Sequence, residues 1–426
     1  MFTIPDNWTL QPLESLLKAI GDGGTPDTSK SEYFNGDIPW VVISDIKDQI
    51  FKTKTYLTKL GISSSSAKLW PKNTIILSTG ATIGEVGIAK VELATKQGIH
   101  GIVCNEKVLS SFLFYKFQTL RNFLNANAQG STIREVRAPF LRKIPILFPN
   151  SLLEQSKIAE ILSTVDQTIE NTEALISKHQ RIITGLMQDL LTRGIDEYGN
   201  IRSEETHKFK DSPLGRIPVE WDVFSLKELG NFKNGVNKPK EEFGFGTLFV
   251  NILDVYSDYL NIFSLERLNV SKSEIEIYKL EGGDILIDRS SVKLEGVGYP
   301  TVFIESDEPV IFCGFIIRFR PTASLNSRFM CLQMRSESFR IEVFKVATKS
   351  ANVNINQESL GKLQVLFPSL DEQERIVRIE LALNSEINNL INLKHKLKSL
   401  KIGLMQDLLS GNMRVTSLLE NQEGIP

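Results

Sequence analysis

The chain contains 426 residues, of which 41% are hydrophobic and 8% aromatic, and its formal net charge is −2 with a pI of about 6.2. The charge excludes a uniformly basic nucleic-acid-binding protein, so any phosphate contact requires locally concentrated Lys and Arg or a basic partner. Three cysteines outside metal-ligand spacings, no signal peptide and no long apolar run predict a soluble, cytoplasmic, multidomain protein without disulfides or structural zinc.

The first half begins with a globular segment, residues 1–150, and continues into a long helix, residues 151–194. Strands are predicted at 40–43, 74–77 and 101–104 and a helix at 111–126. The long helix follows Pro149, with Ser151 as its N-cap. Its apolar positions alternate steps of four and three, the spacing of a coiled-coil seam: Ile158, Leu162, Val165, Ile169, Thr172, Ile176, His179, Ile183, Leu186 and Leu190. On this seam, His179 is predicted to be packed or hydrogen-bonded rather than a metal ligand.

The second half has the same order of elements. A polar connector, residues 195–216, reads as a surface linker. A globular segment at 217–368 follows, with predicted strands at 284–287 and 310–319 and a helix at 327–346. A second long helix at 369–411, with Ser369 as N-cap, precedes a tail at 412–426. Its seam is weaker, because Glu380, Lys394 and Lys401 occupy positions that are apolar or uncharged in the first helix.

An internal repeat relates the two halves. Gly-Leu-Met-Gln-Asp-Leu-Leu occurs at 185–191 and again at 403–409, 218 positions later. The flanks agree, since Leu-Phe-Pro recurs at 147–149 and 366–368, and Glu-Gln at 154–155 and 372–373. A duplicated chain predicts approximate two-fold symmetry and a two-part target. Because the second helix must run back toward the first globular segment, we expect the long helices to pair antiparallel. Two amphipathic helices in an ordinary bundle core remain the alternative.

Several motifs together resemble the specificity subunit of type I restriction-modification enzymes. In the first half they are Gly23-Gly24-Thr25-Pro26, Gly36-Asp37-Ile38-Pro39-Trp40, Gly130-Ser131-Thr132-Ile133-Arg134, Leu147-Phe148-Pro149, and the run from Glu154-Gln155 to Asp166. In the second half they are Phe209-Lys210-Asp211-Ser212-Pro213-Leu214-Gly215, Ile217-Pro218 with Trp221, Gly283-Asp284-Ile285-Leu286-Ile287, and Glu372-Gln373. The sequence departs from the family pattern at Ile379 and Glu380, where small polar residues are usual.

The resemblance implies an α+β fold in which two duplicated target-recognition domains are separated by two antiparallel helices. It implies a non-catalytic subunit that reads a bipartite duplex DNA site, one domain per half-site, and docks two methyltransferase subunits. Restriction (motor-nuclease) subunits complete the complex. S-adenosylmethionine, ATP and magnesium are then cofactors of the partner subunits, with none in this chain. Consistent with this, the sequence has no Asn/Asp-Pro-Pro-aromatic motif and no Gly-x4-Gly-Lys-Ser/Thr loop.

DNA contacts are predicted in loops that follow apolar strands, where glycine permits close approach to phosphate and polar side chains can reach base edges. Solvated turns are an equal alternative for each residue. The first-domain candidates are Ser78, Thr79, Gly80, Thr82, Lys96, Gln97, Ser131, Thr132 and Arg134. The second-domain candidates are Asp288, Arg289, Ser290, Lys293, Lys349, Ser350 and Asn352, with Arg289 suited to bidentate pairing with guanine.

Partner docking is predicted at the repeated heptapeptide, whose identity exceeds what a coiled-coil seam requires. Its polar residues Gln188, Asp189, Gln406 and Asp407 are the candidates. Two other function classes are weighed against the DNA reader. The first is a stand-alone nuclease or methyltransferase, which would need a catalytic motif that this sequence does not contain. The second is a repeat-built protein-binding scaffold. A gel shift on interrupted duplexes, with and without the methyltransferase subunit, separates such a scaffold from a DNA reader.

Overall fold

The computed structural model describes residues 4–130, 134–322, 325–349 and 352–420. The chain forms two compact units: the first contains residues 1–175 and 391–426, and the second contains residues 176–390. The division passes through both long helices. Each unit therefore combines one globular region with half of each long helix, whereas the sequence predicted globular and helical segments in linear order.

Two helices dominate the α-helical content. The helices are α1 (Lys59–Ser63), α2 (Ser110–Ala126), α3 (Ala138–Lys143), α4 (Leu152–Thr192), α5 (Leu226–Leu229), α6 (Lys272–Tyr278), α7 (Ser327–Arg335), α8 (Glu337–Val346), α9 (Gln357–Gly361), α10 (Leu370–Ser410) and α11 (Thr416–Glu420). Helices α4 and α10 each contain 41 residues. The hydroxyls of Ser151 and Ser369 accept the amides of Glu154 and Glu372 at 3.3 Å, as expected of N-caps. No helix in the described part of the chain combines the length and apolarity that crossing a membrane requires.

Short strands build both globular regions. In the first unit they are β1 (Trp8–Pro12), β2 (Leu17–Asp22), β3 (Phe34–Val41), β4 (Gln49–Ile50), β5 (Thr55–Leu57), β6 (Leu69–Trp70), β7 (Ile75–Ser78), β8 (Val86–Ala89), β9 (Leu93–Thr95), β10 (Ile99–Cys104) and β11 (Pro145–Pro149). In the second they are β12 (Phe209–Ser212), β13 (Gly215–Pro218), β14 (Asp222–Ser225), β15 (Gly230–Asn234), β16 (Phe243–Val250), β17 (Glu266–Leu268), β18 (Ile285–Asp288), β19 (Ser290–Ser291), β20 (Pro300–Val302), β21 (Val310–Phe312), β22 (Ile316–Pro321), β23 (Thr348–Lys349), β24 (Val353–Asn354) and β25 (Gln364–Phe367).

The sheets of the two units correspond, as the sequence repeat predicts. The order β2-β10-β7-β8-β4 in the first unit matches β15-β22-β18-β20 in the second, and β5-β3-β9-β6 matches β17-β16-β21. The second pair of sheets shares a parallel neighbour: β3 pairs parallel with β9 in the first unit, and β16 pairs parallel with β21 in the second. The first and last strands of each globular region also pair, β1 with β11 and β14 with β25. Each unit is thus one copy of the same mixed α/β domain.

The halves of α4 and α10 run antiparallel within each unit. In the first unit Asp166 pairs with Lys401 at 2.5 Å, and Glu173, further along α4, pairs with Lys398 at 3.1 Å. In the second unit His179 Nδ1 lies 3.6 Å from Glu386. His179 is therefore a half-buried polar seam residue, as predicted.

The polar residues that weaken the second seam have partners. Glu380 is buried and accepts the Arg328 guanidinium of α7, with a shortest distance of 2.6 Å. Lys401 pairs with Asp166, and Lys394 lies 3.9 Å from Glu173. Pairing offsets part of the cost of removing these charges from water. Glu380 thus joins α10 to the globular region of the second unit, whereas Lys394 and Lys401 join α10 to α4.

Three predictions about local structure are wrong. The predicted strand 310–319 is two strands, β21 and β22, separated by a turn at 313–315 in which the Cys313 and Gly314 amides donate to the Val250 and Val236 carbonyls. The predicted helix 327–346 is interrupted at Ser336, whose extended backbone ends α7 and whose hydroxyl caps α8. The connector is not simply a surface linker, since the side chains of Ile195 and Arg202 are buried in the second unit and residues 209–218 form a hairpin.

Candidate nucleic-acid interface

In the first domain, backbone hydrogen bonds bring the three predicted loops together. The Thr79 amide donates to the Gly98 carbonyl at 2.9 Å, and the Val136 amide donates to the Thr79 carbonyl at 2.9 Å. The loop after β7 therefore lies between the turn that precedes β10 and the segment that precedes α3. These three segments carry all of the first-domain candidates that the structure describes.

Only some of those candidates present side chains to solvent. Thr82, Lys96, Gln97 and Arg134 are exposed, and Arg134 also donates to the Asn125 carbonyl at 2.6 Å. Ser78, Thr79 and Gly80 are buried, so burial favours a supporting role for them in the loop. Ser131 and Thr132 lie outside the described residues. The exposed set includes two cations and two neutral polar groups, which suit phosphates and base edges respectively.

Thr79 is held by a buried polar group beneath the loop. Its hydroxyl lies 2.8 Å from His100 Nδ1, and Asp22 Oδ1 accepts the Gly98 amide at 2.8 Å and lies 3.9 Å from the same imidazole nitrogen. Burial lowers the pKa of His100, although Asp22 opposes the shift. A catalytic Thr-His-Asp relay would need the acid and the hydroxyl on opposite ring nitrogens. The arrangement supports the loop and is unsuited to nucleophilic catalysis.

The second domain contains the same pattern of backbone bonds. The Arg289 amide donates to the Phe315 carbonyl at 3.0 Å, and the Ile355 amide donates to the Arg289 carbonyl at 2.9 Å. Arg289, Phe315 and Ile355 thus correspond to Thr79, Gly98 and Val136. We call these two sets of bonds the loop frame. A small sheet, β19-β24-β23, adds a second link between the two predicted loops of this domain.

The second-domain candidates also divide by exposure. Lys293 and Asn352 are exposed, Arg289 is half-buried, and Asp288 and Ser290 are buried. The backbone of Lys349 lies in β23, whereas Ser350 lies outside the described residues. The loop frame therefore brings Arg289, Lys293 and Asn352 to one region of the second domain, while direct base contact by any of them stays a prediction.

Asp288 anchors the base of its loop. Its Oδ1 accepts the Ser290 amide at 2.9 Å, and its Oδ2 accepts the Tyr256 hydroxyl. Burial raises the pKa of Asp288 to about 6, opposed by those two hydrogen bonds and by Arg340. Sequence reasoning missed Tyr256 and Arg340, because both lie far from the loop in sequence and neither belongs to a recognisable motif.

The predicted docking residues lie on the long helices. Gln188 and Gln406 are exposed, while Asp189 and Asp407 are half-buried. In the second unit, Gln188 borders a groove of about 730 Å³ between α4 and α7–α8, together with Met187, Leu332 and Ile341. The repeated leucines have a structural reason for their identity, since Leu190, Leu191, Leu408 and Leu409 are buried in the cores of their units.

A buried carboxylate at the start of each long helix was also missed. Glu372 accepts Arg202 through two bonds of 2.5 and 3.2 Å, the Trp221 indole at 3.0 Å and the Ile195 amide at 2.8 Å. Glu154 accepts Arg414 through bonds of 2.7 and 2.9 Å. Each arginine follows the end of the opposite long helix. The recurring Glu-Gln pair was the available signal, but it did not identify the arginines.

Groups of three or more His, Cys, Asp or Glu side chains placed to hold a metal ion do not occur among the described residues. The three cysteines are free thiols, and those of Cys313 and Cys331 are buried.

Comparisons with known proteins agree with this architecture. The family model of the type I restriction modification DNA specificity domain matches residues 5–178 and 218–400. The MjaVIII specificity subunit of Methanocaldococcus jannaschii is 25% identical over 97% of this chain and 95% of its own length. The MjaIX specificity subunit of the same organism is 32% identical over 57% of this chain, which spans about half (56%) of that subunit.

A solved structure shares the fold. The S subunit of a type I restriction-modification system from M. genitalium superposes with a TM-score of 0.54 at 18% identity, covering 95% of this chain and 97% of that chain. Each family match contains one of the two globular regions whose sheets and loop frames correspond, together with much of the long helix that follows it. This chain therefore belongs to the family of type I restriction-modification specificity subunits, with two target-recognition domains.

Proposed function

We propose that this chain reads a bipartite DNA duplex, with one target-recognition domain on each half-site, and docks two methyltransferase subunits. The observation that carries the proposal is the loop frame, which recurs in both domains while the side chains it presents differ. Two readers of the same construction with different contact residues suit two different half-sites. The long helices act as the spacer between them.

Docking of methyltransferase subunits is proposed at the exposed glutamines of the repeated heptapeptide, Gln188 and Gln406. Equivalent surfaces suit two copies of one partner. In this proposal the chain supplies sequence recognition, and partner subunits supply the S-adenosylmethionine-, ATP- and magnesium-dependent chemistry. The net charge of −2 limits the field that the chain alone offers to phosphates, so partner surfaces contribute to DNA affinity.

The purified chain alone is expected to transfer no methyl group and to bind duplex DNA weakly. Adding methyltransferase subunits should raise affinity on the order of tenfold or more at moderate salt, because additional Lys and Arg release counterions from the duplex. Fluorescence anisotropy on the cognate duplex, with and without the partner across a salt series, measures the affinity and its salt dependence, and incorporation of labelled methyl groups from S-adenosylmethionine measures methyl transfer.

A duplex with scrambled half-sites is the control. The complex should bind it more weakly than the cognate duplex, with a similar dependence of affinity on salt. Methyl transfer by the chain alone would contradict the proposed division of labour. A complex with methyltransferase subunits that binds scrambled and cognate duplexes equally would instead favour a protein-binding scaffold.

Lengthening both long helices should change the spacer and leave both half-sites unchanged. A copy of residues 169–175 after Leu175 and a copy of residues 384–390 after Leu390 preserve the heptad pattern and add about 10 Å at about 1.5 Å per residue. At about 3.4 Å per base pair, the preferred spacer should grow by roughly three base pairs. Selection from a duplex library with fixed half-sites and variable spacers gives the result.

An insertion in α4 alone is the matched control, since it adds the same residues but shifts the antiparallel pairing by a heptad. We expect that variant to lose stability and specific binding. If the double insertion folds and binds but selects the parental spacer, the long helices do not set the distance between the readers.

A further inference from the structure

The loop that contains Thr79 in the first domain and Arg289 in the second differs in length between the two domains. In the first domain the Gly84 amide closes the loop onto the Ser78 carbonyl at 2.9 Å, and in the second the Gly298 amide closes it onto the Asp288 carbonyl at 2.6 Å. Both glycines have positive φ, +89° and +72°, a conformation that disfavours other residues. Between these closures lie residues 79–83 in one domain and 289–297 in the other. The longer loop adds four residues to the same base.

Contacts from three sides hold the longer loop. Asp288 accepts the Ser290 amide, and β19 pairs with β24, which together fix the ascending arm. The Arg340 guanidinium of α8 donates to the carbonyls of Glu295 and Val297 at 2.9 and 2.7 Å, which fixes the descending arm. Val297 is fully buried in the domain core. Both arms are therefore ordered by interactions outside the loop itself.

Hydrogen bonds within the loop hold the apex, since the Lys293 amide donates to Ser291 Oγ at 3.4 Å and the Lys293 carbonyl accepts the Gly296 amide at 3.1 Å. Val292 is 84% exposed, and the neighbouring Lys293 is also exposed. Exposing a valine on an anchored loop contributes nothing to the hydrophobic core. The pair combines an apolar group, which suits a thymine methyl in the major groove, with a cation, which suits guanine or phosphate. A reading element needs such a combination at a fixed position.

We propose that Val292 and Lys293, at the apex of residues 289–297, determine which bases are recognised in the second half-site. Asp288 and Arg340 act as positioning residues that hold the loop. This inference rests on the proposed function. It separates the second-domain candidates into groups that contact DNA and groups that support the contact. It also assigns a DNA-contacting role to Val292, which has no polar group to suggest one.

The test compares complexes of methyltransferase subunits with the parent chain, with a Val292→Ser and Lys293→Ala double variant, and with Tyr198→Ser. Tyr198 is 82% exposed in the connector and serves as a matched surface control. Each complex selects duplexes in which both half-sites are randomised. The double variant should lose roughly tenfold discrimination at one or two base pairs of the second half-site and keep the first half-site and the spacer. Tyr198→Ser should select the parental site.

Arg340 supplies a second readout. Arg340→Met should weaken discrimination in the second half-site without changing the preferred bases, and Arg340→Lys should restore part of it because an ammonium group can still donate to a loop carbonyl. If the apex variant selects the parental second half-site with full discrimination, the apex assignment is wrong, although the two-reader proposal stands. If the parent complex selects no bipartite site, the proposed function and this inference both fail.

Discussion

Replacing Glu372 with alanine should destabilise the second unit by about 3–5 kcal/mol, because the buried Arg202 guanidinium loses its counter-charge. Arg202 is 7% exposed and Glu372 is 3% exposed, so water cannot replace the lost bonds without opening the structure. The Trp221 indole and the Ile195 amide lose their acceptor at the same time. Denaturant unfolding gives the free energy, and hydrogen exchange locates the loss within residues 176–390.

A double-mutant cycle with Arg202→Met distinguishes the lost pair from lost packing. Removing both charges should cost less than removing Glu372 alone, because no unpaired charge remains buried. Glu358→Ala is the surface control, since Glu358 and its partner Lys362 are both largely exposed. An unchanged unfolding free energy in Glu372→Ala would mean that the carboxylate does not hold the connector onto the second domain.

Exchanging residues 1–150 for the corresponding domain of a relative should replace the first half-site and leave the second unchanged. The exchange point follows β11, the last strand of the first globular region, which pairs with β1. Specificity should change at each base pair where the half-sites of the two exchanged domains differ, at roughly 1–3 kcal/mol per mismatched pair. Selection from a library randomised in both half-sites measures the outcome.

The incoming domain must retain its contacts with α4 for this result to be interpretable. Gln155 accepts the Leu109 amide at 2.7 Å and donates to the carbonyls of Lys107 and Pro149 at 2.9 Å. These are backbone partners, so a relative can keep them with different side chains. A reciprocal exchange of 217–368 is the control and should alter only the second half-site. A change in both half-sites after either exchange would contradict independent readers.

The sequence predicted the features that depend on local periodicity and on the repeat. The long helices, their capping serines and the correspondence of the loops could be found because heptads, caps and duplicated motifs are short-range patterns. In the first domain, three loops chosen for glycine, Lys and Arg content do meet at Thr79. The repeat adds a second signal, since the Gly-Leu-Met-Gln-Asp-Leu-Leu, Leu-Phe-Pro and Glu-Gln motifs of one half recur in the other.

Features that depend on tertiary partners were not predictable in this way. Burial of Asp288 follows from contacts with Tyr256, 32 positions away, and nothing in the local sequence distinguishes this carboxylate from an exposed one. Arg202 lies in a connector of polar residues, and its partner Glu372 is 170 positions later in the sequence, so the local pattern indicates a solvated side chain. The break at Ser336 was concealed by the helical propensity on both sides of it.

The composition of the first unit has a consequence for biosynthesis. Its core includes Leu408, Leu409 and Val415, and Arg414 pairs with Glu154, so it incorporates chain from both ends of the sequence. The second unit is continuous from 176 to 390. During translation the second unit can therefore be completed while the ribosome still holds the segment that the first unit lacks. The domain that emerges first should be the last to reach its native core, in contrast to the usual N-terminal-first order.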